Sequence, residues 1–282
     1  MADRSSKTKL AESRLLQHVE QFVSNLAGDE RVLVGFSGGL DSTVLLHALH
    51  RVTERLAAVH VDHQLQAESS NWAQHCRRVA ESIGIDCAVL AVDAAAQPGD
   101  SPEAAARAAR YKAWADFVAP DQLLVTAHHA DDQLETLLLR LLRGAGVRGM
   151  SGIRTAYSGE ALRVHRPLLS LTRADLALVA ADWRLSWIDD PSNDDQRFDR
   201  NFVRASVLPA MTARWPGAGA AAVRLAAHMN EAEGLLGELA EIDLGECTTP
   251  DRFPVDRLMA LTPARRGNLL RYLIRSSGLP VP

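Results

Sequence analysis

The stretch RVLVGFSGGLDSTVLLHAL, residues 31–49, predicts a buried strand, a glycine turn and a helix in immediate succession. Val32, Leu33 and Val34 form an apolar run that is typical of a parallel strand, and apolar residues return at helical spacing from Val44. The first N–H groups of such a helix have no partner within it and lie at the positive end of its dipole. The stretch therefore predicts an anion site, and the usual anion at such a site is phosphate.

The turn between the strand and the helix, SGGLDS at 37–42, has residue types that suit a phosphate chain. Its glycines let the backbone approach phosphate oxygens closely, and its serines offer hydroxyl donors. Asp41 would repel a bare phosphate, so we expect a Mg²⁺ ion between its carboxylate and the phosphates. The residues expected to bind the nucleotide are Ser37, Gly38, Gly39, Leu40, Asp41 and Ser42.

The turn at 37–42 matches neither of two other phosphate-binding motifs, but it could still be an ordinary turn that binds no ligand. No Gly-Lys-Ser/Thr follows the turn, so it is not a Walker P-loop, and the three-glycine dinucleotide pattern is missing. An ordinary strand-to-helix turn with a Ser/Asp cap is the alternative interpretation of SGGLDS.

Predicted strands and helices alternate through most of the chain. Apolar runs predict strands near 32–36, 56–63, 85–92, 121–129 and 162–166, with helices between and after them. This order is typical of an α/β fold with a doubly wound, mostly parallel sheet. The chain after Trp215 has a helical pattern, so we predict one domain over 1–215 and a small helical domain over 216–282. The final PVP leaves open whether this second domain is truncated.

The composition narrows the class of protein. The 282 residues carry a net charge of −4, so contact with a nucleic acid would need a local basic surface. Three widely spaced cysteines indicate a reducing compartment, and we expect a cytoplasmic protein without a disulfide framework or an Fe–S cluster. No apolar run reaches membrane-spanning length, so no membrane partner is expected. The oligomeric state stays open, with a homodimer as one alternative.

A second polar segment, AHHADDQLET at 127–136, joins a predicted strand to a predicted helix. Asp131, Asp132 and Glu135 lie in the opening turns, where carboxylates are favoured as helix caps. A zinc site is a second interpretation, because His and Asp are common zinc ligands. The third is a polar rim of the nucleotide site, since ligands bind beyond the carboxyl ends of parallel strands.

The turn at 37–42 resembles the SGGxDS signature of the PP-loop ATP pyrophosphatases. That resemblance implies cleavage of ATP between its α- and β-phosphates and adenylation of a carbonyl oxygen. Further segments resemble the tRNA(Ile)-lysidine synthetase family, in order and over roughly the first 215 residues. These segments are HVDHQL at 60–65, EAAARAARY at 103–111, AHHADDQLET at 127–136, RGAGVRGMSGI at 143–153, RPLLSLTR at 166–173 and WIDDPSNDDQRFDRNFVR at 187–204.

The family resemblance implies ATP, Mg²⁺, free lysine and an isoleucine tRNA with a CAU anticodon. In that reaction the C2 oxygen of the wobble cytidine is adenylated, and the lysine ε-amine then displaces AMP to give lysidine. The resemblance implies that Asp41 and Asp132 hold Mg²⁺. It also makes Asp62, His63 and Glu135 candidates for contacts with nucleotide or lysine. His128 or His129 is the candidate for the general base, and His128 is also a candidate for contact with the substrate.

Several arginines are candidates for phosphate contacts. Arg107 and Arg110 lie three residues apart on one predicted helix face, and the resemblance implies a catalytic or tRNA-binding role for them. Arginines also dominate residues 140–173, where the flexible RGAGVR segment suits an RNA backbone. The candidates for RNA contact are Arg143, Arg148, Arg200, Asn201 and Arg204. A solvated surface is the alternative interpretation of each of these charges.

Two other functions stay open at this point. One is a PP-loop synthetase that uses ammonia on a small acid, which would release pyrophosphate without RNA. The other is an ATP-binding module without turnover, which would form no AMP.

Overall fold

The computed structural model describes residues 2–64, 69–93, 102–159, 162–191, 195–245 and 254–279. Parts of two segments quoted above, Leu65 and residues 192–194, lie outside these ranges. The chain divides into two compact units, Met1–Leu139 with Ile153–Val223 and Arg140–Gly152 with Arg224–Pro282. The functional domains expected over 1–215 and 216–282 stay a prediction, because compactness does not assign a function.

The secondary structure alternates as expected for an α/β chain. The strands are β1 Arg31–Gly35, β2 Leu56–Asp62, β3 Cys87–Ala91, β4 Gln122–Val125, β5 Ala156–Ser158 and β6 Arg163–His165. The helices are α1 Ala2–Ser24, α2 Leu40–His50, α3 Ser69–Ser82, α4 Pro102–Phe117, α5 Ala130–Leu142, α6 Val147–Met150, α7 Arg173–Asp182, α8 Asp199–Phe202, α9 Leu208–Arg214, α10 Ala218–Leu244, α11 Val255–Ala260 and α12 Pro263–Ser276. A π-helical turn, Val203–Val207, joins α8 to α9.

The six strands form one sheet in the order β3-β2-β1-β4-β6-β5. All neighbouring pairs are parallel except β5 with β6, which confirms the mostly parallel sheet. Among the described strands, β5 is the one that the hydrophobic pattern did not predict, because its three residues are all exposed. The order reverses direction between β1 and β4, and such a reversal opens a crevice at the carboxyl ends of the two strands.

The core shows why β1 lies at the centre of the sheet, with α2 packed in the same hydrophobic cluster. Val32 and Val34 are buried, and Val44, Leu45 and Leu46 of α2 have no exposed surface. A helix that is apolar around most of its circumference is stable only when other elements cover it. The motif strand and helix are therefore rigidly packed, which positions the turn between them.

The second unit is helical where the structure describes it. Within it, Arg265 of α12 pairs with Asp243 of α10, which is 1% exposed in its side chain. Asn268 Nδ2 donates to the carbonyl of Leu236 at 2.7 Å, so α12 packs along α10 through buried polar contacts. None of the described helices is both long enough and apolar enough to span a membrane.

Candidate functional site

The turn after β1 holds a backbone conformation that only glycine adopts easily. Gly38 has φ +80°, and a Cβ atom there would lie 2.9 Å from Cys76 Sγ. Gly39 is the N-cap of α2 and makes no side-chain cap hydrogen bond, so the first amides of α2 are left for another acceptor. Ser37 Oγ lies 3.0 Å from Ser42 Oγ, and Ser42 Oγ donates to the Gly39 carbonyl at 3.0 Å. The turn is thus ordered by its own hydroxyl groups.

The segment after α7 supports this turn from outside. Ile188 N donates to the Gly38 carbonyl at 2.9 Å, and its side chain would lie 3.8 Å from a Cβ atom on Gly38. Residues 187–204 therefore begin with a direct contact to the turn at 37–42, which we call the phosphate turn. This contact gives the first part of that segment a structural role that its sequence did not reveal.

A cluster of carboxylates around one histidine lies next to the turn. His129 Nε2 is 3.5 Å from Asp41 Oδ2 and 3.5 Å from Asp132 Oδ2, while His129 Nδ1 is 3.6 Å from Asp131 Oδ2. Burial opposes protonation of His129, but Asp132, Asp41 and Asp131 together hold its pKa above the ordinary value. The crevice between β1 and β4 therefore brings the two predicted motifs together.

Asp41 fits a cation better than Asp132 does. Asp41 Oδ1 is buried and has no hydrogen-bond partner within the part of the chain that the structure describes. Asp132 Oδ2 accepts from the His129 amide at 3.0 Å, and its Oδ1 lies 3.5 Å from Arg200 Nη2 and 3.4 Å from Arg204 Nη2. Burial raises the pKa of Asp132, but His129, His128 and Arg200 bring it below the ordinary value. Among the described residues no group of three or more His, Cys, Asp or Glu is arranged as a metal centre, so zinc gains no support. One carboxylate plus substrate phosphates is a common Mg²⁺ site.

Two arginines converge on the buried carboxylate of Glu135, which is 1% exposed. Arg204 Nε donates to Glu135 Oε1 at 2.7 Å, and Arg200 Nε donates to Oε2 at 2.9 Å. Each arginine also extends an Nη2 to within 3.5 Å of Asp132 Oδ1. Burial works against both guanidinium charges, but Glu135 and Asp132 raise the pKa of Arg200 and Arg204. These four side chains form one ion-pair network, which we call the Glu135 network.

The local structure of residues 195–207 directs these arginines inward. Arg200 lies on the short helix α8, and Arg204 lies on the π-helical turn that follows it. Asn201 Nδ2 donates to the Asp195 carbonyl at 3.0 Å, which ties the helix to the preceding loop. A π-helical turn inserts an extra residue per turn and is frequent at functional sites.

A second set of polar side chains comes from the carboxyl end of β2, with His63, and from α4, with Arg110. Arg110 Nε and Nη2 both lie 3.2 Å from His63 Nε2, while Arg107 Nη2 donates to the Tyr111 hydroxyl at 3.2 Å. Burial and then Arg110 lower the pKa of His63 to about 4, so its ring is neutral and Nε2 accepts. Asp62 Oδ1 accepts from the Gln64 amide at 2.9 Å and closes the turn after β2. Arg107 and Arg110 thus have different partners despite their shared helix face.

His128 is positioned as a neutral side chain. Its Nδ1 lies 2.9 Å from Thr126 Oγ1, at the carboxyl end of β4. Burial lowers the pKa of His128 to about 3, against the opposing effect of Asp132 and with a further contribution from Arg166. A neutral imidazole of such low pKa hydrogen-bonds well but is a weak base.

The arginines of residues 140–173 are divided between the two units and differ in burial. Arg166 is 5% exposed and donates to the Arg154 carbonyl at 2.7 Å, so it is a buried structural residue and not an RNA-facing one. Arg163 pairs with Glu30 at 2.6 Å. Arg143 and Arg148 belong to the second unit, where both are exposed and Arg148 Nε lies 3.6 Å from Glu233.

Two site residues had no assigned contact in the sequence interpretation. Asp131 lies in the segment whose interpretations are a helix cap, a zinc site and a polar rim, and its Oδ2 accepts from the Arg173 amide at 2.7 Å. Arg173 was counted only as part of a basic stretch, and its Nε lies 3.9 Å from Asp41 Oδ2. The signal was the RPLLSLTR segment, which places an arginine directly after a Thr cap, but nothing local indicates that it faces the turn.

Comparisons with known proteins agree with this geometry. The PP-loop domain family matches residues 11–211, and a TilS substrate binding domain matches residues 253–282. The chain is 46% identical over 255 residues to a tRNA(Ile)-lysidine synthase of Pseudomonas fluorescens, covering 88% of this chain and 56% of that protein. It is 42% identical over 271 residues to the tRNA(Ile)-lysidine synthase of Methylococcus capsulatus, covering 94% of this chain and 62% of that protein.

The fold has a structural counterpart at low sequence identity. The U34-tRNA thiolase NcsA from Methanococcus maripaludis superposes with a TM-score of 0.67 at 16% identity, covering 81% of this chain and 80% of that one. The present chain spans about six tenths of the length of the curated relatives it matches. From the match over residues 11–211 and the site that those residues build, the chain belongs to the PP-loop domain family and is similar to tRNA(Ile)-lysidine synthases.

Proposed function

We propose that this chain carries the catalytic part of a cytoplasmic tRNA(Ile)-lysidine synthetase. The reaction joins lysine to C2 of the wobble cytidine of an isoleucine tRNA with a CAU anticodon and converts ATP to AMP and pyrophosphate. Its support is the similarity to curated tRNA(Ile)-lysidine synthases over most of the chain. The single structural observation that carries the proposal is the juxtaposition of Asp41 with the 127–136 segment at the end of β1.

The phosphate site is the turn at 37–42. The free amides at the start of α2 and the exposed Ser37 hydroxyl offer donors to phosphate oxygens, and Gly38 and Gly39 leave room for them. Asp41 would hold Mg²⁺ through its orphaned oxygen, and Asp132 would adjoin it. The bound ion would offset negative charge on the phosphates as pyrophosphate leaves.

The first step needs only positioning by this chain. The cytidine C2 oxygen attacks the α-phosphorus, the bond from that phosphorus to the bridging oxygen breaks, and pyrophosphate departs. His63, held by Arg110, is a proposed contact for the nucleotide, and Arg107, which lies over the ring of Tyr111, is a further proposed cation for the phosphates. A base can reach such a site only out of its stack, because single-stranded loop bases are read after unstacking.

The second step needs a deprotonated lysine amine near C2. The amine attacks C2, AMP leaves with the electrons of the C2–O bond, and the added nitrogen loses one proton. Asp62, His128 and Glu135 are the proposed lysine contacts, with His129 as the proton acceptor, because the low pKa of His128 makes that ring a weak base. Both oxygens of Glu135 already accept from Arg200 and Arg204, so we propose that Glu135 acts on lysine through the network it organises.

The RNA contacts are proposed for four arginines and one asparagine. They are Arg143 and Arg148 of the second unit and Arg200, Asn201 and Arg204 of the first. The side chains of Arg200 and Arg204 are 25% and 34% exposed, so they would meet RNA while staying paired with Glu135. The helical part over 216–282 is proposed as a further contact to the tRNA, in line with its match to a TilS substrate binding domain.

The test is incorporation of labelled lysine into bulk bacterial tRNA by the purified chain, with and without ATP. We expect label in RNA only when ATP is present, together with AMP in equal amount. AMP formed without RNA would favour the ammonia-using synthetase, and ATP binding without AMP would favour the non-catalytic module. The same bulk tRNA, depleted of the isoleucine species, is the matched negative control.

A further inference from the structure

Arg173 is an exposed cation at the edge of the phosphate turn. Its guanidinium Nε lies 3.9 Å from Asp41 Oδ2, and its side chain is 52% exposed. It is also the first residue of α7, so its backbone position is set by the start of that helix. No role was assigned to it above beyond its place in a basic stretch.

The backbone of Arg173 is braced on both sides. Thr172 and Asp175 form a capping box at the start of α7, in which each side chain accepts from the backbone amide of the other residue. Asp131 Oδ2 accepts from the Arg173 amide at 2.7 Å, and the Ala130 amide donates to the Leu171 carbonyl at 2.8 Å. The start of α7 is therefore tied to the start of α5, which also carries the carboxylates of the site.

The other arginines around these carboxylates are already committed. Arg200 and Arg204 each bind Glu135 below 3.0 Å and approach Asp132. The contact of Arg173 with Asp41 is long and half solvated, and such a contact contributes little to stability. Arg173 can therefore exchange Asp41 for a better anion at low cost.

We propose that Arg173 binds the β- and γ-phosphates of ATP and the pyrophosphate that leaves. This inference rests on the proposed function, because it takes the turn at 37–42 as the phosphate site. In the proposed reaction the β- and γ-phosphates leave together as pyrophosphate, so the turn at 37–42 would hold that part of the nucleotide, and Asp41 would hold a Mg²⁺ ion there. The exposed cation beside Asp41 thus adjoins the same part of the nucleotide.

An arginine suits this task for a chemical reason. Its planar guanidinium can donate two parallel hydrogen bonds to phosphate oxygens, which a lysine ammonium does not reproduce. The charge on the β-phosphate rises as its bond to the α-phosphorus breaks, so a cation there stabilises the transition state more than the ground state. Arg173 then contributes to both ATP affinity and the rate of adenylation.

The experiment is calorimetric titration of Arg173→Ala and Arg173→Lys with three probes, namely ATP with Mg²⁺, inorganic pyrophosphate with Mg²⁺, and AMP. A hydrogen-bonded charge pair corresponds to roughly 10- to 100-fold in affinity. We expect Arg173→Ala to lose about that factor for ATP and pyrophosphate and to bind AMP as the unmodified chain does. Arg173→Lys should recover only part of the loss.

Arg14→Ala is the matched control. Arg14 is 42% exposed and also contacts one carboxylate near the start of α7, Asp175 at 3.4 Å. It should leave all three affinities unchanged. Equal losses for ATP and AMP in Arg173→Ala, or no loss for pyrophosphate, would overturn the assignment. If the unmodified chain binds neither ATP nor pyrophosphate, the proposed phosphate site itself is wrong, which separates the two failures.

Discussion

The phosphate turn and the Glu135 network lie next to each other but are built in opposite ways. The turn is local, because Ser37, Gly38, Gly39 and Ser42 order one another within six residues. The first amides of α2 have no acceptor within the helix, and one Asp41 oxygen has no hydrogen-bond partner among the described residues. The network is long-range, because Arg200 and Arg204 come from 65 and 69 residues after Glu135 and pair with it completely.

This difference separates a binding surface from its support. Groups without partners can exchange water for a ligand, so the turn is suited to binding. Buried charges that are already paired cannot release a partner cheaply, because an uncompensated buried charge is costly. The network therefore holds the crevice in shape, and we expect damage to the turn to reduce chemistry and damage to the network to reduce stability.

The largest expected effect is on the chemistry of the turn. Asp41→Ala should lower the rate of AMP formation by at least about 100-fold, because the charge at the transferring phosphate loses its main compensation. The urea midpoint should change little, since Asp41 is only half-buried. Rates and midpoints are measured on the same preparation. Asp121→Ala, an exposed carboxylate before β4, should keep the unmodified rate; a slow Asp121→Ala would show that the assay reports general damage.

The second prediction concerns the network. Glu135→Gln removes the charge that both arginines share, and we expect a loss of about 2 kcal/mol in the free energy of unfolding, below the usual cost because Asp132 still contacts both arginines. Urea unfolding measures it. Glu103 is a third carboxylate near Arg200 and has a side chain that is 54% exposed, so Glu103→Gln should change stability by less than about 0.5 kcal/mol. Equal losses in the two variants would contradict the burial argument.

The third prediction concerns the turn's backbone. Gly38→Ala forces a side chain into a left-handed conformation and against Cys76, and we expect a loss of about 1–3 kcal/mol together with weaker ATP binding. Gly28→Ala meets nothing within 4 Å and is the matched control. Thermal unfolding and ATP titration of both variants make the comparison. An unaffected Gly38→Ala would mean that the turn is not rigid.

The smallest effect is on the pH dependence of stability. The pKa of His63 is lowered to about 4, below its value of 6.5 in a model peptide. Above pH 6.5 both folded and unfolded states hold a neutral ring, and between pH 6.5 and 4 the unfolded state alone takes up the proton. The free energy of unfolding should therefore decrease as the pH is lowered from 6.5 to 4. His63→Gln should reduce this decrease by about 1 kcal/mol at pH 5, after allowance for solvent screening. Urea unfolding at pH 7 and pH 5 measures it, and an unchanged slope in His63→Gln would contradict the assignment to His63.

The sequence determined the parts of this protein whose signals are local. A strand, two glycines and a largely apolar helical pattern at 31–49 predict the phosphate turn, because backbone sterics and helix dipoles act within a few residues. The alternation of apolar runs likewise predicts the parallel sheet, and with it the meeting of the 37–42 and 127–136 segments at one edge.

Only the tertiary structure decided which charges are paired. Nothing in the sequence around Arg200 or Arg204 indicates that they pair with Glu135, and nothing near Arg173 indicates that it lies close to Asp41. Arg166 belongs to the same basic stretch as the exposed Arg163, yet Arg166 is buried. The physical reason is that the energy of a charge depends on the dielectric and the partners around it in space. Those are fixed by how distant segments pack, so a basic residue becomes a ligand contact, a brace or a surface charge only in the folded chain.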